Sequence, residues 1–187
     1  MIPHSHLRPA EYEDAAAIAA VQVASWQATY PGLLPDAMIA MMNVPDRTAS
    51  WQRIIRSLSN TGSGGVFVVT EQDRLIGFAS YGKQREPELL SQGYTGEVSA
   101  IYLMPDVLRQ GIGAMLMAAS GRALARAGHK AASVWVLTAN SAAVQFYKAL
   151  GGVQVGEKAG ASADSVHETA YGWPDIGVLA GTATPRP

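Results

Sequence analysis

The sequence predicts a mixed α/β (α+β) fold: a central, mostly antiparallel sheet with one parallel strand pair, and helices on both faces. Three observations predict it. Apolar runs of strand length and stretches of helical spacing follow one another as strand, helices, three strands, helix, strand, helix, two strands. The strand–helix–strand run from Glu97 to Leu137 implies a parallel pair joined by a right-handed crossover. Finally, 48% apolar and 16% charged residues give enough material for a core and too little charge for a disordered chain.

With 187 residues, one domain over 1–179 and a frayed tail over 180–187 are expected. Fourteen Lys and Arg against 15 Asp and Glu give a net charge of −1, which supplies no drive toward nucleic acid or an acidic membrane. The chain has no cysteine, which excludes a disulfide scaffold, a thiolate zinc site, an iron–sulfur cluster and a cysteine nucleophile. That fits a reducing cytoplasm. Met1–Ala10 has no signal-like apolar core, and no apolar run reaches membrane-spanning length.

His6–Pro9 reads as a short strand. Glu11–Thr29 reads as a helix, with Ile18, Val21 and Trp26 on its apolar face and acids in its first turn; Tyr30-Pro31-Gly32 ends it. Leu34–Met42 and Pro45–Leu58 read as further helices, the second with Trp51, Ile54, Ile55 and Leu58 at helical spacing. Asn60–Gly65 is a loop by composition. Val66–Thr70 and Leu75–Tyr81 form a hairpin around Glu71–Asp73. Glu86–Gly93 is polar and breaks the pattern, and Thr95–Leu103 is the next strand. A helix runs from Ile112 to about Ala127, with Gly128 as its cap. Ala132–Leu137 is a strand and Ser141–Leu150 a helix stopped by Gly151-Gly152; Val153–Glu157 and Val166–Trp173 are the last strands.

The most informative segment is Arg109-Gln110-Gly111-Ile112-Gly113-Ala114, which follows a strand and opens a helix. Glycines let a ligand approach the backbone, the first helical amides point outward, and the dipole adds positive charge. The result suits a pyrophosphate, with Arg109 at the rim. Tight helix–strand packing explains the same glycines equally well. The segment is neither a full dinucleotide fingerprint nor a Walker loop. The second constellation runs from Asn140 to Tyr147, which stand two helical turns apart on nearly one face. Alone, Asn140 reads as a helix cap and Tyr147 as a core aromatic.

Together the two segments resemble the GCN5-related N-acetyltransferase (GNAT) superfamily. Tyr102-Leu103-Met104-Pro105 with the glycine loop is similar to its acetyl-CoA-binding motif. Val134-Trp135-Val136-Leu137-Thr138-Ala139-Asn140, then Ala143, Phe146-Tyr147-Lys148 and Leu150-Gly151-Gly152, is similar to its second cofactor motif. Leu7-Arg8-Pro9-Ala10, Ala24-Ser25-Trp26, Tyr30-Pro31-Gly32 and the ending Glu168–Trp173 resemble its flanking segments, so the likeness covers roughly residues 6 to 175. Leu108 stands where the family usually has Gln or Arg.

The resemblance implies a single N-acetyltransferase domain whose parallel strand pair splays to admit acetyl-CoA as co-substrate. It implies direct attack of an amine on the thioester. Backbone amides of the Ala100, Ile101, Tyr102 and Leu103 stretch would meet the pantetheine or the thioester carbonyl. Those of Gln110, Gly111, Ile112, Gly113 and Ala114, with Arg109 alongside, would hold the pyrophosphate. Asn140 would touch the cofactor arm, and Tyr147 would protonate or hydrogen-bond the departing thiolate, as a phenol of ordinary pKa about 10 can. Glu97 is the first candidate for the base, against a reading as a salt-bridge partner or solvated carboxylate; His167 and Glu168 follow. Trp26, Tyr30 and Trp173 are candidate walls for the acceptor, or core aromatics. Trp51 reads as core, and Met38, Met41 and Met42 as a soft rim or packing. His4 and His6 resemble half a metal site, with no further ligand patterned around them, so no metal is expected. The expected partner is a small-molecule or peptide amine, without nucleic acid or membrane, and a homodimer is open. Two other classes compete: a catalytically idle acyl-CoA sensor, and a nucleotide-binding module using the same loop.

Overall fold

In the computed structural model, residues 5–159 and 166–181 are described. The strands are β1 (Ser5–Pro9), β2 (Gly64–Glu71), β3 (Arg74–Lys83), β4 (Gly96–Leu103), β5 (Ala132–Leu137), β6 (Val153–Lys158) and β7 (Glu168–Trp173). The helices are α1 (Ala15–Thr29), α2 (Asp36–Ala40), α3 (Val44–Thr61), α4 (Pro87–Ser91), α5 (Ile112–Arg126), α6 (Ser141–Ala149) and α7 (Ile176–Ala180). The strands form one sheet in the order β1-β2-β3-β4-β5-β7-β6, in which β4 and β5 are parallel and β1–β2, β5–β7 and β6–β7 antiparallel. The mixed, mostly antiparallel sheet with one parallel pair is therefore present. The chain divides into two compact units, one taking residues 1–81 and 100–116, the other 82–99 and 117–187.

In the first unit, β1 pairs with β2 from Ser5↔Glu71 to Pro9↔Phe67. Arg8 holds Asp14 through two bonds of 2.7 and 2.8 Å, and Asp14 accepts the Glu11 amide at 2.7 Å. These bonds hold the Asp14 carboxyl below its usual range, the Arg8 guanidinium being the largest cause. They also tighten Tyr12–Asp14 into a 3₁₀ turn, so the α-helix starts at Ala15. The core joins Ala15, Ile18, Ala19 and Val21 of α1 to Trp51 and Ile55 of α3 and to Val66, Val68, Leu75 and Phe78 of the strands. Inside it, the Trp51 indole donates to the buried Gln22 amide oxygen at 2.8 Å, which satisfies both groups.

Three local rules shift the helix bounds. The helix expected over 34–42 shrinks to α2, because Pro35 sits extended at its N-cap (ψ 135°) and the chain leaves the helix at Met41. Asn43 caps α3 by accepting the Asp46 amide at 2.9 Å, so α3 begins at Val44 with Pro45 in its first turn. α3 also runs three residues past Leu58, with Thr61 Oγ1 bonded back to Ser57 O at 2.8 Å, until Gly62 turns left-handed at φ 61°. The β2–β3 hairpin closes with Gln72 and Asp73 at φ 47° and 65°, the primed turn that suits twisted strands.

In the second unit, β4 and β5 meet at Gly96↔Ala132 and Glu97↔Ser133. β5 pairs along its whole length with β7, and β6 joins β7 with a bulge between Gln154 and Gly156. The polar stretch 86–93 contains α4, anchored by a fully buried Leu89 that packs with Tyr94, Ala131 and Ala170. α5 ends with Gly128 at φ 92° and the His129 amide bonded to Leu124 O at 3.1 Å; α6 ends the same way at Gly151 and Gly152. Trp173 is fully buried and donates to Leu150 O at 2.8 Å. The sequence reading has no helix after β7 and starts the tail at Ala180, but Asp175 caps α7 by accepting the Gly177 amide at 2.8 Å. Ile176, Leu179 and Ala180 are buried, and Gly181 ends the helix at φ 73°. Residues 182–187 lie outside the described residues.

Candidate active site

The glycine loop is built from the first unit upward. Met104 leaves β4 with its amide on Ile76 O at 2.8 Å, and Pro105–Val107 forms a 3₁₀ turn. Arg74 grips Asp106 at 2.9 and 3.4 Å, holding that carboxyl below its usual range, while Gln110 Nε2 reaches Asp106 O at 3.3 Å. Val107 and Ile112 are buried and anchor the two ends. Between them the backbone turns left-handed at Arg109 (φ 62°) and again at Gly111 (φ 86°). Gly111 O accepts the Met115 amide at 3.0 Å, so α5 starts here. A helix start leaves its first amides without intrahelical partners. Residues 108–111 are exposed, and a Cβ on Gly111 would meet nothing within 4 Å. The turn is thus open rather than packed against a neighbour, as a pyrophosphate would require. Leu108 is 52% exposed.

Upstream, Ile101, Tyr102 and Leu103 are half-buried on β4. Tyr102 packs on Phe78 at 5.6 Å between ring centres. Gly77 of β3 leaves room for the Leu103 side chain, which a Cβ there would overlap. At the end of α1, Trp26 and the C-cap residue Tyr30 meet edge to face at 4.8 Å, and Trp26 Nε1 is buried with no partner among the described residues.

In the second unit, Asn140 caps α6: its Oδ1 accepts the Ala143 amide at 3.1 Å. Tyr147 is buried, its ring near Phe146 (5.3 Å), Tyr171 (6.3 Å) and Trp173 (6.3 Å). Trp173 therefore stands in the core beside Tyr147. Glu97 is buried as well, and Arg85 grips both its oxygens, Nε to Oε2 at 3.0 Å and Nη2 to Oε1 at 2.7 Å. That bond holds the Arg85 guanidinium pKa above its ordinary value. The salt-bridge reading of Glu97 is the one this geometry displays. Arg85 itself escaped the sequence reading, since a lone arginine after a strand carries no pattern. Glu168 begins β7 opposite Leu137, His167 O accepts the Thr138 amide at 2.8 Å, and His6 pairs with Thr70 in β1. His4 lies outside the described residues. Among the described residues no cluster of three metal-ligating side chains occurs, and no helix is long and apolar enough to cross a membrane.

Comparison with known proteins agrees with this fold. The model of the Acetyltransferase (GNAT) family matches residues 25–151, a span that contains the glycine loop and the second segment as far as Gly151. The chain belongs to the GNAT family of acetyltransferases. It is 35% identical over 175 residues to YuaI of Bacillus subtilis (strain 168), an uncharacterized N-acetyltransferase, covering 92% of this chain and 95% of the relative. Among solved structures it resembles the PaiA N-acetyltransferase of Thermoplasma acidophilum in complex with coenzyme A (TM-score 0.67, 21% identity, 89% of this chain and 97% of that one). It also resembles YncA of Salmonella typhimurium, a putative acetyltransferase with acetyl-CoA (TM-score 0.68, 20% identity, 92% and 94%). At these identities the structural likeness shows the fold.

Proposed function

We propose that the chain transfers the acetyl group of acetyl-CoA to a primary amine on a small molecule or peptide. The observation that carries this reading is the open left-handed turn at Gly111, in the segment that resembles the family's acetyl-CoA-binding motif. Amides of Gln110, Gly111, Ile112, Gly113 and Ala114 hold the diphosphate, aided by the dipole of α5 and by Arg109. Amides of Ile101, Tyr102 and Leu103 bind the pantetheine or polarise the thioester carbonyl. Asn140, already bonded to its helix through Oδ1, has its Nδ2 left to donate to the cofactor arm. The amine nitrogen attacks the carbonyl carbon and the carbon–sulfur bond breaks. Tyr147 gives its proton to the departing thiolate, and Glu97 takes the proton lost by the amine, directly or through a water. Trp26 and Tyr30 wall the acceptor, whereas the buried Trp173 acts by supporting Tyr147.

A coupled assay tests this. Free-thiol release from acetyl-CoA is followed across polyamines, aminoglycosides, amino acids and peptide N-termini, with the product mass checked for one added acetyl group. One amine class is expected to release thiol well above the amine-free rate. Tight coenzyme A binding with no amine acetylated would overturn transfer in favour of an idle sensor. Displacement of coenzyme A by NAD or ATP at similar concentration would favour a nucleotide module.

A further inference from the structure

Glu97 and Arg85 are unequal partners. The Glu97 side chain is 6% exposed and that of Arg85 71%. Both carboxylate oxygens accept from the one guanidinium, so it is the exposed arginine that covers the enclosed acid. The backbone beneath Arg85 is fixed. Gln84 is buried, its Oε1 accepts the amides of Arg85 and Glu86 at 3.0 Å each, and its Nε2 donates to Ser133 Oγ at 2.5 Å. Ser133 is the residue paired with Glu97 across the parallel ladder. Lys158 is engaged elsewhere: it pairs with Glu86 at 2.6 Å and lies 4.2 Å over the Trp135 ring.

We propose that Arg85 is a displaceable placeholder at Glu97 for the cationic nitrogen of the acceptor. This rests on the transfer reading above. An enclosed carboxylate stripped of its partner is costly, so whatever replaces the guanidinium must bring both positive charge and N–H donors. A primary ammonium is compact and has three donors, whereas a quaternary ammonium has the charge and none. Arg85 then competes with every acceptor, and the apparent affinity is lowered by the fraction of time that the latch is closed. Arg85 is in this sense a specificity residue: it admits ammonium groups and lowers the affinity for all of them.

The test reads the latch directly in the full-length protein. The Arg85 Nε–H resonance, assigned by its loss in Arg85→Lys, is followed by NMR while ethylammonium or tetramethylammonium chloride is added at matched ionic strength. Ethylammonium is expected to release the resonance to a free, solvent-exchanging position, and tetramethylammonium to leave it in place. No response to either salt, or an equal response to both, overturns the proposal. With the best acceptor from the amine panel, Arg85→Ala is expected to lower KM several-fold and so raise kcat/KM, with Arg85→Lys in between; a raised KM in Arg85→Ala overturns it. Glu97→Gln separates the two readings. Wild-type kcat with a raised KM in that variant removes Glu97 as base and supports the latch, whereas wild-type kcat and KM together overturn both. Lost turnover beside an unresponsive Arg85 keeps the base and refutes the latch.

Discussion

Gly111 is where stability and binding should come apart. Its φ of 86° lies in the left-handed region, and a Cβ there would touch nothing within 4 Å. Gly111→Ala therefore costs only backbone strain, about 1 kcal/mol. For a chain of this size that is a fall in Tm of roughly 2–4 °C. The helix cap Gly62 supplies the control: its φ is 61° and its Cβ direction is equally open, so its alanine variant should lose a similar amount. Coenzyme A at about 100 times its Kd should stabilise the wild type by roughly 2.7 kcal/mol. In thermal-shift measurements, Gly62→Ala should keep that ligand shift in full. Gly111→Glu should lose it, because the new carboxylate would stand where the proposed site holds the diphosphate. An undiminished shift in Gly111→Glu, or an equal loss in Gly62→Glu, would refute the assignment of the loop.

Three further outcomes follow from the geometry. Tyr147→Phe should lower kcat far more than it weakens coenzyme A binding, as turnover beside calorimetric Kd would show; equal losses in the two count against proton delivery to the thiolate. Gly121→Ala gains about 1 kcal/mol in helix propensity. Its Cβ, however, would come within 2.9 Å of the Leu179 and Ala180 backbone, and overpacking of that kind costs about 1–3 kcal/mol. A net loss of about 1 kcal/mol in urea unfolding is expected, and a stabilised variant would show that α7 yields. Burial, with help from Lys83, holds the His129 imidazole below its usual range. The unfolded chain then binds the proton first, so stability present above about pH 6.5 falls as the pH drops toward the folded pKa. Tm measured between pH 7.5 and 5 should show that fall, and His129→Gln should flatten it.

Punctuation was readable from the sequence because local chemistry enforces it. Gly128, Gly151 and the stretch Ala132–Leu137 fall where the sequence puts them, since a left-handed cap or a β-branched run depends on few neighbours. α4 was hidden because one buried leucine among polar residues has no periodicity, and α7 because its fixed point is the backbone contact with Gly121. The left-handed Arg109 was invisible for a related reason: no residue type announces a strained position that the anchors on either side impose.

By itself, the sequence determined the order of the strands and of the longer helices, the single parallel pair and the glycine loop opening a helix, since each follows from spacing and residue type over short stretches. Only the tertiary structure decided what the acid at Glu97 faces. An exposed arginine twelve residues away along the chain reaches it after the turn through α4, and pairing across such a turn is fixed by packing, which residue order does not encode.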